Sequence, residues 1–335
     1  MGLLQSRNHY VDLGGKWRPE FPQEYNATVD EGRNFPVRVL GNALNLSTQT
    51  GKTLVTGSLS YISHPTFTSA ILRLMFSAGN HTHSTNTSNN VNSYTQEFDG
   101  YFREGLISDN NIRVEMKDAG TNRITYNHED MVITSRTIQK EAGSPIIKET
   151  VNFICNNESS VSTNAQSSKV ADKGYAPFNG FDAQIDISPN ENETSWSAGH
   201  TRSQIKAWTL TENTGFEYAE KPGTQFADNT VIQNLDNAGI EFSFTIDMTT
   251  DVTLWNFVKN NEVGSLRIWL KHDVSVGGVQ LKQQYIYNRV RFISEDHGTT
   301  EENPTEQTIL CKIEEPTSGD ICNYVLVDLE TDGGW

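Results

Sequence analysis

His81 and His83 are the first place to look for chemistry, because on an extended chain both imidazoles would point to one side and could begin a metal site. Thr and Asn surround them and no third ligand is near, so the pair favours a polar surface over a bound ion. His128-Glu129-Asp130 gathers a base and two carboxylates, but it reads as a turn between strands, where solvated charge is expected. His64 stands before Pro65 and reads as part of a strand-to-helix turn rather than as a general base. Cys155, Cys311 and Cys322 fit no zinc or redox spacing. The turn-like segment Glu315-Pro316-Thr317-Ser318-Gly319 leaves a Cys311–Cys322 hairpin disulfide open, with buried free thiols the favoured state. Trp208, Trp255 and Trp269 could stack on sugars, although core or interface packing is the favoured use. No nucleophile elbow, zincin helix, Walker loop, dinucleotide-binding glycine pattern or EF-hand loop occurs. The sequence thus offers no catalytic residue, cofactor site or metal site, and an enzyme is its weakest reading.

Charge excludes a further class. Lys and Arg total 26 against 42 Asp and Glu, a formal charge of −16 over 335 residues. A protein that grips nucleic acid by its phosphates needs clustered cations, which this balance opposes. A negative surface is compatible with one that must not grip it. No apolar run approaches the roughly 20 residues that span a bilayer, so no membrane partner is expected.

The elements that would carry any site are organised by a repeat. Ala43-Leu44-Asn45-Leu46-Ser47-Thr48-Gln49-Thr50-Gly51 and Ala207-Trp208-Thr209-Leu210-Thr211-Glu212-Asn213-Thr214-Gly215 share the pattern A-x-x-L-[ST]-x-x-T-G at a constant offset, 207 − 43 = 164. Each copy is followed by the same series: strand, short helix, alternating strand, Tyr-Asn-centred strand, closing strand. Ile112-Arg113-Val114-Glu115-Met116-Lys117 answers Leu266-Arg267-Ile268-Trp269-Leu270-Lys271. Met131 to Ser135 answers Val290 to Ser294, and Ile147 to Ile154 answers Glu306 to Ile313. Helices are expected after Pro65, with Phe67, Ile71, Leu74 and Met75 inward, and over 251–259, with Val252, Trp255 and Val258 inward.

The expected division is therefore an N-terminal arm at 1–34 and a first unit at 35–155 that carries a long polar loop at 80–100. A Ser/Asn-rich linker at 156–176, a second unit at 177–316 and a C-terminal arm or strand at 317–335 complete it. The fold class is mainly β: two tandem copies of a β-sandwich or barrel-like unit, each with one short α-helix packed on its sheet. Trp17 in the arm, His81, His83, Tyr94, Phe98, Tyr101 and Phe102 in the loop, and Tyr324 and Val325 in the last strand are the candidates for contacts between subunits.

Thr56-Gly57-Ser58-Leu59-Ser60-Tyr61-Ile62-Ser63-His64-Pro65 with the helix after it resembles the tail tube, or major tail, proteins of tailed bacteriophages. The later strands fit the same series: Ile112 to Lys117, Tyr126-Asn127, Val132 to Ser135 and Val151 to Ile154 in the first half, then Phe242 to Val258, Leu266 to Leu270 and Tyr287 to Phe292. The resemblance implies a structural virion protein, assembled in the host cytoplasm, whose rings stack into a hollow tube for genome delivery. A duplicated chain implies three copies per ring with pseudo-sixfold symmetry. The implied partners are the chain itself, a tape-measure protein, and terminator and tip proteins. Double-stranded DNA passes through the lumen without specific binding. An acidic channel wall would then let DNA slide. Two other readings stay open: a two-domain adhesin or carbohydrate-binding β protein, and a tail terminator or distal tail relative.

Overall fold

The computed structural model describes residues 9–13, 16–18, 22–30, 35–37, 47–49, 54–65, 68–76, 83–88, 91–99, 111–117, 123–162, 176–202, 205–219, 231–247, 256–257, 259–276, 279–297 and 306–328. The early strands are β1 (His9–Leu13), β2 (Lys16–Arg18), β3 (Pro22–Asp30), β4 (Phe35–Val37), β5 (Ser47–Gln49) and β6 (Leu54–Ile62), before helix α1 (Thr68–Met75). Then come β7 (His83–Ser88), β8 (Val91–Asp99), β9 (Ile112–Lys117), β10 (Arg123–Glu129), β11 (Val132–Lys140), β12 (Ile147–Cys155) and β13 (Asn157–Ser162). The second half holds β14 (Gln184–Ser188), β15 (Ile205–Asn213), β16 (Phe216–Tyr218), β17 (Val231–Gln233) and β18 (Gly239–Asp247). It ends with β19 (Val263–Val276), β20 (Val279–His297), β21 (Glu306–Ile313) and β22 (Cys322–Asp328).

The protein is mainly β, with one large antiparallel sheet and smaller ones beside it. The large sheet has 13 strands in the order β3-β6-β12-β11-β15-β18-β21-β20-β22-β8-β7, with β14 and β19 joined through β20. A 5-stranded sheet runs β13-β10-β9-β1-β2, and β4-β5 and β16-β17 form two small pairs. Period-two alternation explains the strands. In β12, Ile147, Val151, Phe153 and Cys155 face inward and Lys148, Thr150, Asn152 and Ile154 face out. One hydrophobic cluster runs through both halves, from Val55 and Phe153 to Phe242 and Tyr324.

A single residue decides how the sheets divide. Asp130 sits at φ 53, the left-handed region, between β10 and β11, and its N–H is held at 3.2 Å by the Asn111 side chain. That kink separates β10, in the small sheet, from β11, in the large one. The corresponding stretch of the second half is the unbroken 19-residue β20, whose first part pairs with β19 and β22 and whose last part pairs with β21.

Several expectations are corrected. The two A-x-x-L-[ST]-x-x-T-G stretches occupy different places: among the described residues Ser47–Gln49 pairs with Phe35–Val37 alone, whereas Ile205–Asn213 lies between β11 and β18 in the large sheet. The pattern misled because Ala207 and Leu210, three apart, fall on opposite faces of a strand and specify no register. The arm at 1–34 supplies β1, β2 and β3 to the sheets. The linker at 156–176 begins with β13, paired to β10. The polar loop at 80–100 contains a hairpin, β7 and β8, whose ladder closes at Ser88↔Val91. Thr and Ser in alternation suit a strand as well as a loop. Ile71, Leu74 and Met75 of α1 are buried as expected, with Leu72 and the following Phe76 besides, while Phe67 lies outside the described residues. Of the expected second helix only 256–257 and 259–260 are described. Phe257 is its buried residue, 5.0 Å from the Phe292 ring, while Val252, Trp255 and Val258 lie outside the described residues. All three cysteines are buried free thiols.

Candidate functional site: a buried charge cluster beneath an open polar face

The inner face of the large sheet carries a polar cluster that the sequence did not reveal. Arg136 on β11 is fully buried and bridges two fully buried carboxylates. Its Nη2 donates to Glu149 Oε2 at 2.9 Å and its Nη1 to Glu212 Oε2 at 3.1 Å. Tyr61 and Ser63 also donate to Glu149, at 2.8 and 2.6 Å, while Tyr287 and Tyr324 donate to Glu212. Tyr285 accepts from Arg136 Nη2 at 2.7 Å and donates to Gln283.

Burial pushes the Tyr61, Tyr287 and Tyr324 phenols well above their ordinary range, and adjacent carboxylates raise them further. Burial alone would lower the Arg136 guanidinium, but Tyr285, Glu149 and Glu212 hold it charged and raise it. The hydroxyls therefore stay as donors and the guanidinium stays a cation. This is a lock, in which β6, β11 and β12 of the first half are tied to β15, β20 and β22 of the second.

The opposite face of the same strands is open and differently composed. One transverse row crosses eight strands, from β3 to β20, pair by pair: Glu24, Ser60, Thr150, Thr137, Thr211, Glu241, Lys312, Arg291. A second row runs Asn26, Ser58, Asn152, Ser135, Asn213. Ser60 and Thr150 share a hydrogen bond of 2.9 Å, and Asn152 donates to Ser135 at 2.8 Å. Hydroxyls and amides thus make up these two rows, while Leu54, Ile154 and Val132 on the same face pack with Phe216 and Tyr218 in a second apolar cluster. The face's described charges are of both signs, Glu24 and Glu241 with Lys148, Arg289, Arg291 and Lys312, the two arginines pairing with Glu314, and the ladders place Asp30, Asp247, Asp296 and Glu306 at register positions of the same face.

The sequence-derived contact candidates separate. Phe98 stands opposite Tyr324, and Glu97 opposite Val325, in the β8–β22 ladder, and Tyr94 stands opposite Asp328. Tyr324 has no exposed surface, and its hydroxyl is committed to Glu212, so it serves the interior of the chain. His83 lies on β7 and Trp17 on β2, opposite Asp12. His81, Tyr101 and Phe102 lie outside the described residues.

His64 is buried, and its carbonyl accepts from Gln283. Trp208 is buried beside Phe242. Trp269 has Arg267 and Lys271 over its ring at 4.9 and 3.9 Å. Neither indole is arranged as a bare stacking platform. No model of a known protein family matches this sequence, and no curated protein matches it.

Proposed function

We propose that the chain is a structural subunit of a hollow tube, built like the tail tube of a tailed bacteriophage from stacked rings that pass DNA without binding it. The carrying observation is that one ladder is built twice, with its irregularities in the same places. The run β3-β6-β12-β11 is answered by β15-β18-β21-β20, neighbour for neighbour.

Pro22↔Tyr61 and Glu24↔Ser60, astride a register shift, correspond to Ile205↔Ile246 and Ala207↔Thr245, astride another. The shift between Ile133 and Ser135 corresponds to that between Phe292 and Ser294. Bulges are specific features of a ladder, and two coincidences of position point to duplication. The outer strands follow suit: β1 flanks β9 and β13 flanks β10, as β14 flanks β19 and β22 flanks β20. On this reading the tandem units are sandwich-like, and the C-terminal strand belongs to the second of them.

Two equal arcs in one sheet suit a subunit that supplies two of six positions in a ring, hence three chains. Three such chains would line it with twenty-four strands. At a spacing of about 4.8 Å these give a barrel roughly 37 Å across between backbones before strand tilt widens it. Barrels of 16–18 strands already leave an aqueous channel. The hydroxyl and amide face would line the channel. With few cations among its described side chains it offers phosphates little to grip, and the acid excess of the chain works in the same direction.

Electron microscopy of the purified protein tests the proposal. Stacked rings or tubes are expected. Dispersed monomers would favour an adhesin, and single rings that never stack would favour a terminator.

A further inference from the structure

The junction between the halves is itself a template. β11 of the first half pairs with β15 of the second, with Ser135 opposite Asn213, Arg136 opposite Glu212, Thr137 opposite Thr211 and Ile138 opposite Leu210. By the correspondence of the two ladders, β11 matches the last part of β20, Ser135 falling on Ser294. In the same way β15 matches β3, Leu210 falling on Ala27.

Those two counterparts lie at opposite ends of the eight-strand run. Among the described residues, β3 carries one ladder, to β6, and residues 294–297 of β20 carry one, to β21. The chain therefore holds one joined copy of this seam and, at its two ends, the separated halves of another. Contact of one end with the other end of the next molecule is head-to-tail, and it closes a ring only if the rotation per chain allows it.

We propose that a second copy of this chain docks β3 against residues 294–297 of β20, in the register of the internal junction. Ser294 then stands opposite Asp30, Glu295 opposite Val29, Asp296 opposite Thr28 and His297 opposite Ala27. The pairing is antiparallel, because β11 and β15 are antiparallel. Backbone hydrogen bonds supply its attraction, as in strand addition to a sheet edge. Sequence gives it selectivity: Glu295 and Asp296 place acids on this edge, which disfavours indiscriminate pairing with other edges. The proposal rests on the tube reading for the number of copies and adds the surface and register.

Cysteine cross-linking reads the register. Opposed residues of an antiparallel pair lie about 4.5–5.5 Å apart between Cα atoms, within disulfide reach, whereas diagonal neighbours at about 7–8 Å are not. The double variant Thr28→Cys/Asp296→Cys, assembled and then mildly oxidised, should give a ladder on non-reducing gels that stops at three chains. Thr28→Cys/Ser294→Cys, the diagonal control, should stay uncross-linked. The three native thiols are buried and serve as an internal background.

Hydrogen exchange on the unaltered protein is the second measurement, with protection of 27–30 and 294–297 expected to rise together on assembly. Rings whose diagonal variant cross-links, or whose two edges gain no protection, would overturn the seam and leave the tube reading intact. Failure of the unaltered protein to form any ring would overturn both.

Discussion

Arg136 is the residue on which the two halves most depend. Replacing it by Met leaves Glu149 and Glu212 buried without a countercharge, and loss of one member of a buried ion cluster typically costs about 3–5 kcal/mol. Urea denaturation of Arg136→Met should show a loss of that order. A change below about 1 kcal/mol would mean that the cluster holds nothing together.

Gly57 tests the correspondence of the halves. A Cβ there would overlap the Phe153 ring at Cζ and lie 2.8 Å from the Asn26 carbonyl. In the matching ladder of the second half, Phe242 stands where Gly57 does and Cys311 where Phe153 does, so bulk has moved across the strand pair. Gly57→Ala should cost about 1–3 kcal/mol through overpacking. Adding Phe153→Cys should return part of that loss, and a double variant no more stable than the single one would contradict the exchange.

His128 is buried, and burial lowers its pKa from 6.5 to about 4. The unfolded chain then takes up a proton before the folded one does. Stability is complete above about pH 6.5 and declines as pH falls toward 4, by at most about 2 kcal/mol once partial solvent screening is allowed for. His128→Gln should flatten the urea midpoint over that window. An unchanged slope would assign the acid sensitivity to other groups.

At the scale of elements, legibility followed the cleanness of alternation. β9 and β19 could be matched residue for residue because apolar positions alternate with Arg and Lys at the same places in both, with Trp269 standing where β9 has Glu115, and the ladders pair Val114 with Tyr126 where they pair Ile268 with Tyr285. β12 and β21 were matched one residue out of register, since the run Ile309-Leu310-Cys311 offers apolar side chains to both faces. The ladders set Phe153 against Cys311, and a slip of one inverts every face. By sequence Ile124-Thr125-Tyr126-Asn127 also answers Tyr285-Ile286-Tyr287-Asn288, but the ladders set Tyr126 where Tyr285 is, a shift of two that preserves the face and so leaves no trace in the pattern. The Arg136 cluster was illegible because Arg136, Glu149 and Glu212 each sit between polar neighbours and so resemble residues of a solvated strand.

Among the described strands, the β7–β8 hairpin joins the large sheet through the pairing of β8 with β22. Deleting residues 82–92 should therefore leave the thermal transition of the folded chain nearly unchanged while impairing tube growth. Tubes of normal length from that variant would remove the hairpin from the contacts between rings.

For the whole molecule, the account turns on two equal arcs in one sheet. A cryo-electron-microscopy map of the assembled protein tests it most directly. The account predicts rings of three chains, each supplying eight consecutive strands to a continuous wall whose inner surface carries the Ser, Thr and Asn rows. A ring of six chains, or a channel lined by anything other than that sheet face, would contradict it.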